Sequence, residues 1–293
     1  MKRRFVGIVL PSILILLAGV GCNTSPTKPA YQKELTVFGY LWANERLSSE
    51  HAVWIAYTRP IMDTYRSSEA ALSGGDVFIT EGSSGASFRL HEDPEKPGYY
   101  CNDSLLVLPG DSYRLQVVTT EKTVTAETDV PLAFELITAL RTDTVNVVRT
   151  DALFKDEPIY LQCENPDQVV LVDMTCNESF QNAEYIHPFS DSRKHPETQD
   201  EYDGGENREP RHIFAIARVR DFQSAEYGGQ SVIFWYTSLL VFYGSYTLQV
   251  AAVDDNLHGF LYKEHPEMEG GIQGGIGVFG SLCGKRFRFQ VVK

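Results

Sequence analysis

The chain has 293 residues, of which 43% are hydrophobic and 12% aromatic, enough to fill real cores and too apolar for a disordered stalk. Its formal net charge of −13 argues against nucleic acid, which needs a basic face. The same acidity argues against electrostatic attachment to anionic lipid.

The chain opens Met1-Lys2-Arg3-Arg4, and an apolar run from Phe5 to Ala18 follows, broken by Gly7, Pro11 and Ser12. Gly19-Val20-Gly21-Cys22 comes next. A basic start, a short apolar stretch and small residues before a cut site make residues 1–21 an export signal. The stretch is too short and too interrupted for a span of roughly 20 residues. It resembles a bacterial lipoprotein signal, with Gly21 before the cut and Cys22 as the lipidated residue, although Gly19 stands where Leu is usual. That resemblance implies a mature chain of 272 residues at −16, because three positive charges leave with the signal. Two or more acyl chains anchor stably where one does not. Residues 22–32 then read as a lipidated tether, polar and Pro-rich.

Residues 33–131 form a run of short strand candidates and are expected to make one β-sandwich domain. They include Leu35 to Leu41, Ala52 to Tyr57, Asp76 to Thr80, Ser87 to Leu90, Leu105 to Leu108, Tyr113 to Val118 and Val124 to Thr128. β-branched and aromatic enrichment with Gly/Pro punctuation every 8–12 residues or so is the pattern of a sandwich. Residues 132–293 are expected to form a second β-rich domain, with the boundary near Pro131. There, Ile159 to Cys163 and Val169 to Cys176 read as a hairpin around Asn165-Pro166-Asp167. Residues 182–212 read as a long, exposed polar insertion, since eleven of the 22 residues from Asp191 to His212 are Asp, Glu, Lys or Arg. Val232 to Tyr243 reads as a buried strand or strand plus turn, Tyr246 to Val253 as a strand, Asn256 to Lys263 as a helical turn and Phe287 to Val292 as the closing strand.

With Cys22 lipidated, Cys101, Cys163, Cys176 and Cys283 remain, an even set that permits two disulfides or four buried thiols. Cys163 with Cys176 is the candidate bridge, because they are close in sequence and lie in neighbouring strand candidates. A tight hairpin about Pro166 would instead set Cys163 against a residue near Val169, so the bridge needs the second strand to bend back.

Two stretches carry a family resemblance. Gly75-Asp76-Val77-Phe78-Ile79-Thr80, Phe88-Arg89-Leu90, Gly98-Tyr99-Tyr100, Pro109 to Leu115 and Thr125 to Pro131 come in the order of the small β-sandwich of transthyretin-like and carboxypeptidase-regulatory modules. Near the C-terminus stands Gly270-Gly271-Ile272-Gln273-Gly274-Gly275-Ile276-Gly277-Val278-Phe279-Gly280. With the lipid signal, this order is similar to a family of bacterial lipoproteins known as domain of unknown function 4249. The resemblance implies a cell-envelope protein, anchored at the outer membrane on its periplasmic or surface face. Genes of the family often sit beside those of TonB-dependent outer-membrane receptors, which implies such a receptor as partner. The family supplies no catalytic residues.

The chemistry that the motifs imitate fails on context. Gly275-Ile276-Gly277-Val278-Phe279-Gly280 matches a dinucleotide fingerprint, but only 13 residues follow Gly280, and none is acidic. The glycines Gly270, Gly271, Gly274, Gly275, Gly277 and Gly280 read instead as structural or contact positions, docking closely against the chain's own strands or against a partner. Gly280 to Lys285 imitates a phosphate loop one residue short. The seven histidines form no zinc motif. His187 and His195 with Asp191, Asp200 and Asp203, and His258, Glu264 and His265 with Asp254 and Asp255, are loose clusters only. Trp42, Trp54, Tyr57, Trp235, Tyr236, Phe242, Tyr243 and Tyr246 are candidates for a ligand-stacking platform or for core. The expectation is a non-enzymatic binding or assembly module without cofactor, metal or nucleic acid. Its small-molecule or glycan ligand stays open. The alternative is an adhesin or envelope-structural lipoprotein, with an extracytoplasmic hydrolase behind it.

Overall fold

The computed structural model describes residues 31–64, 66–137, 145–149, 158–163, 165–186, 194–204, 211–221, 231–235 and 240–292. Residues 1–21, expected to be an export signal, and Cys22 lie outside them. The first half contributes β1 (Leu35–Trp42), β2 (Arg46–Leu47), β3 (Val53–Tyr57), β4 (Asp76–Glu81), β5 (Ser87–Glu92), β6 (Tyr99–Leu106), β7 (Ser112–Val118) and β8 (Thr123–Asp129), with helix α1 (Ser67–Ala70). Next come β9 (Glu135–Ile137), β10 (Val145–Arg149), β11 (Pro158–Gln162), β12 (Val169–Cys176) and β13 (Glu184–Tyr185), then α2 (Gln199–Asp203), β14 (His212–Arg218) and β15 (Ser231–Trp235). The chain closes with β16 (Phe242–Val253), α3 (Asp255–Tyr262), α4 (Pro266–Glu269), β17 (Ile272–Gln273) and β18 (Ile276–Val292).

The fold is mainly β and sandwich-like, as the strand pattern predicts. Alternation sets which face each strand buries. In β1 Leu35, Val37 and Leu41 point inward, while Thr36, Phe38 and Tyr40 face out. In β7 the inward set is Tyr113, Leu115 and Val117. The sheet bends at β5, which pairs β4 through Val77↔Leu90 and β6 through His91↔Cys101. Its two leaves therefore close over one core that includes Val37, Ile55, Val77, Ile79, Leu115 and Val124.

A second core lies under β12, β16 and the end of β18, around Val172, Met174, Phe242, Tyr246, Leu248, Phe287 and Phe289. The first core also takes in Phe279 and Cys283 of β18, and one sheet joins strands from both sides of Pro131. β18 pairs β1 in parallel from Thr36↔Ile276 to Trp42↔Leu282. It pairs β16 antiparallel from Gly244↔Val291 to Val253↔Leu282, and β10 in parallel from Val145↔Arg288 to Arg149↔Val292. One sheet runs from β14 through β12, β16, β18 and β1 into the N-terminal leaves, and Glu34–Lys293 is one compact unit. A third cluster on the opposite face of β16 and β18 packs Val278, Leu282, Ala251 and Val253 against Leu257 and Phe260 of α3.

Three local expectations need correction. The hairpin around Pro166 does not form: β11 pairs β15 and β9 in a separate three-stranded sheet, whereas β12 pairs β14 and β16. β11 and β12 thus belong to different sheets. The Cys163–Cys176 bridge is absent for the same reason, and Cys101, Cys163, Cys176 and Cys283 are free thiols. Cys176 is buried opposite Tyr246, and burial pushes its thiol pKa up. The insertion is not wholly a solvated loop either. Residues 187–193 and 205–210 lie outside the described set, but Ala183, Ile186 and Tyr202 are buried in the second core. Tyr202 sits on α2, where Thr198 caps the helix by accepting from the Glu201 N–H. Its hydroxyl donates to the Glu178 carbonyl.

The closing strand begins eleven residues earlier than the sequence suggests, because its glycines are approach points and not breaks. Gly277 has φ +114°, and a Cβ there would collide with the Val37 carbonyl oxygen across the β1 pairing. Gly277→Val should therefore cost roughly 3 kcal/mol or more and give an early, broad thermal transition. Gly85→Ala, at φ +69° with open space around it, should cost only about 1 kcal/mol. Calorimetry of both variants checks this; equal small shifts would show that β1 tolerates a wider approach.

Candidate functional site

Three polar side chains are buried among the described residues: Thr128 at 2% exposure, Asp254 at 8% and Ser281 at 0%. They meet one another. Thr128 occupies an inward position of β8, after Val124 and Ala126, where strand alternation calls for an apolar residue. Asp254 caps α3, its Oδ1 accepting from the Leu257 N–H at 2.9 Å. The same oxygen accepts from the Ser281 N–H of β18 at 3.1 Å. Thr128 Oγ1 lies 2.6 Å from Asp254 Oδ2 and 2.8 Å from Ser281 Oγ, which in turn donates to the Asp129 carbonyl at 3.1 Å.

Proton counting shows what a proton on Asp254 adds to this cluster. Two hydroxyl protons must serve three oxygen–oxygen contacts, so one contact stays unbonded while Asp254 is ionised. A proton on Asp254 completes the chain. Burial acts in the same direction, raising the Asp254 pKa against the lowering effect of its hydrogen bonds. Asn256 adds a further tie, its Nδ2 donating to the Glu127 carbonyl at 2.6 Å and the Phe279 carbonyl at 2.9 Å. Gly280 makes room for this approach: a Cβ there would sit 2.8 Å from Asp254 Oδ1 and from Leu257 Cβ. The cluster is a joint that locks β8, β18 and α3 together.

Chemistry at the joint lacks a base. His258 lies on α3 but stacks on Tyr262 at 5.7 Å, and burial lowers its pKa. Beside the joint is an open acidic cleft of about 340 Å³, lined by Glu127, Asp129, Asp167, Asp255 and Asn256 among others. Asp167 is taken up by Arg220 at 2.5 Å, and no group of three metal-ligating side chains occurs among the described residues. Among the described residues, neither loose histidine cluster supplies a group of three metal-ligating side chains. His195 Nδ1 donates to the Ala183 carbonyl, while His187 and Asp191 lie outside the described residues.

The second feature is an apolar groove of about 380 Å³ on the outer face of β1 and β3. Phe38, Trp54, Tyr57, Pro60 and Ile61 line it, with Thr58, Arg59 and Asp63 at the loop side. Phe38 stacks on Trp54 at 5.6 Å and meets Phe260 of α3 edge-on at 5.7 Å, and Tyr99 adds a tilted contact with Trp54 at 6.4 Å. The Trp54 Nε1–H is buried without a hydrogen-bond partner among the described residues. Of the aromatics named from sequence, Trp54 and Tyr57 reach this groove. Trp42 is buried under the Arg286 guanidinium, 4.2 Å from its ring, and Phe242 and Tyr246 belong to the second core with Tyr243 packed against it. The Trp235 side chain and Tyr236 lie outside the described residues. Phe38, Tyr99 and Phe260 are not singled out by sequence reading, although the outward parity of Phe38 in β1 marks it.

The predicted glycines surround the same region. Gly270 and Gly275 would collide with or crowd the backbones of Gly277 and Leu35, and Gly271 at φ +78° would collide with Asn256. Gly274 has φ +81° beside Thr123. With Gly277 and Gly280, all six pack against the chain's own elements.

Residues 25–282 match the family described as Domain of unknown function (DUF4249). The chain belongs to this family. Among solved structures it is similar to the FN1–FN3 domains of chicken CNTN1, with 12% identity and a TM-score of 0.22 over 89% of this chain and 67% of that one. A second similar structure is domains 4 and 5 of the S-layer protein SbsC, with 13% identity and a TM-score of 0.17 over 90% of this chain and 98% of that one. Likenesses this distant carry no functional argument. No curated protein matches. Among the described residues, no helix is long and apolar enough to cross a membrane.

The joint yields a signed prediction. Because the folded-state pKa of Asp254 is raised, the folded chain holds its proton longer than the unfolded chain. Stability therefore falls as pH rises from the unfolded value near 3.9 through the folded value. Asp254→Asn keeps an acceptor for the Leu257 and Ser281 N–H groups and offers Nδ2 as donor to Thr128. The variant should fold, and its melting temperature relative to the parent should improve as pH rises through that window. A variant that instead loses ground steadily with rising pH would show that Asp254 acts as an anion.

Proposed function

We propose that the chain is exported, anchored by lipid on Cys22, and acts as a non-enzymatic binding or assembly module beside a TonB-dependent outer-membrane receptor. The observation that carries a binding role is the uncovered aromatic groove on β1 and β3, a surface of the kind that marks interaction sites. The hydroxyls of Thr128 and Ser281 support the same reading, because both are spent on holding strands and helix together. The export signal ending at Gly21-Cys22 supports the anchor, and family membership supports the receptor through the gene neighbourhood the family keeps. An acyl anchor raises the effective concentration of the body beside other envelope proteins without any new contact.

The anchored full chain should carry diacylglycerol on Cys22 by mass spectrometry, and Cys22→Ala should leave an uncleaved precursor or release the body from lipid. Detergent extraction and affinity capture of the anchored chain should recover a TonB-dependent receptor. Mature protein with an unmodified Cys22 would end the anchor reading, and capture of the anchored chain without a receptor would end the partner reading.

A further inference from the structure

We propose that the aromatic groove and the Pro60-Ile61-Met62 tip on its rim seat the body on the lipid bilayer that holds its anchor. The inference rests on the proposed lipid at Cys22 and names the partner of the groove.

Ile61 is 97% exposed and Met62 91% exposed, two consecutive large apolar side chains at the tip of a loop beside an open apolar groove. Single exposed apolar residues are ordinary; a contiguous patch of this kind marks a contact surface. Its place in the fold selects the surface. The Thr58 N–H donates to the Glu34 carbonyl at 2.8 Å, and the Glu34 N–H donates to Thr58 Oγ1 at 3.0 Å. The loop carrying Ile61 and Met62 therefore springs from the point where the chain enters its first strand. Eleven residues lie between Cys22 and Glu34, twelve steps along the chain. They reach at most about 40 Å fully extended, and roughly 20 Å as a coil. A lipid on Cys22 therefore keeps the bilayer within about 40 Å of the residue from which this loop springs.

The charges near the loop suit an apolar contact. Arg59 and Arg66 share the Glu69 carboxylate and Lys122 bonds to Glu34, so one net positive charge is left beside the loop for the headgroup layer. Asp63 is the carboxylate left at the groove, and it must stay in the headgroup layer. Trp54, Tyr57 and Tyr99 are the amphipathic rings that favour the interface between headgroups and acyl chains. Docking there fixes how the body faces its neighbours and leaves the other faces free for a receptor.

The test uses the lipidated full chain in phosphatidylethanolamine vesicles whose acyl chains carry bromine, a short-range quencher of indole emission. Met62→Trp places a reporter at the tip. Glu50→Trp places one in the exposed turn at the opposite end of β3, and the emission of the parent chain is subtracted from both. The Met62→Trp signal should fall at least about twofold against unbrominated vesicles, while the Glu50→Trp signal should not change. Vesicle flotation reads the anchor separately: a chain that fails to float removes the anchor and the proposal with it. A chain that floats with its Met62→Trp indole unquenched overturns the docking alone. Shielding of that indole only in membranes containing the receptor, with no quenching by brominated lipid, overturns it in favour of a protein partner.

Discussion

The structure depends on one strand being shared by three cores. β18 runs for 17 residues, and its first half has both faces covered. Phe279 and Cys283 enter the N-terminal core, Val278 and Leu282 pack under α3, and Phe287, Phe289 and Val291 enter the C-terminal core. A strand buried on both faces cannot show the period-2 pattern of a surface strand. It also needs backbones to approach closely, and glycine permits that at the cost of conformational entropy on folding. Its parallel pairing with β1 joins the first strand of the fold to the last, so the N-terminal core cannot close until the whole chain is available.

The polar joint follows from that arrangement. Where β8 passes β18 and α3 begins, backbone donors at the helix start and at Ser281 would be buried without partners. Asp254 answers both with one carboxylate oxygen, and Thr128 and Ser281 carry the remaining contacts outward to the Asp129 carbonyl. Burial raises the pKa of this carboxyl while its hydrogen bonds lower it. The Ser, Thr and Asp that in isolation suggest a reactive centre are thereby accounted for by the fold, and the proposed binding role rests on the half-buried rings on the other face of β1.

Much of this is legible in the sequence, and the misses have physical causes. The N-terminal strands are visible because each has one buried face, so Leu35, Val37 and Leu41 alternate with Thr36, Phe38 and Tyr40. The length of β18 is hidden because Gly277, Gly280 and Gly284 look like punctuation, whereas each marks a backbone or helix packed against the strand. The Pro166 hairpin fails because local turn chemistry says that the chain bends, not which sheet each arm joins. Tyr202 is lost in a charged stretch whose composition masks a single buried anchor. The groove is half visible: Trp54 and Tyr57 stand out as aromatics, but Phe38, Tyr99 and Phe260 come together only through the pairing of β1 with β3 and the packing of α3.

The central claim is that β18 makes residues 34–292 one cooperative body despite its two main cores. Native-state hydrogen exchange tests it most directly, by comparing the slowest amides of β7 in the N-terminal core with those of β12 in the C-terminal core. The account predicts that both sets exchange through the same opening, with equal free energies and equal dependence on denaturant. Loss of protection in β12 at low denaturant while β7 stays protected would contradict it, and would show two domains that merely share a strand.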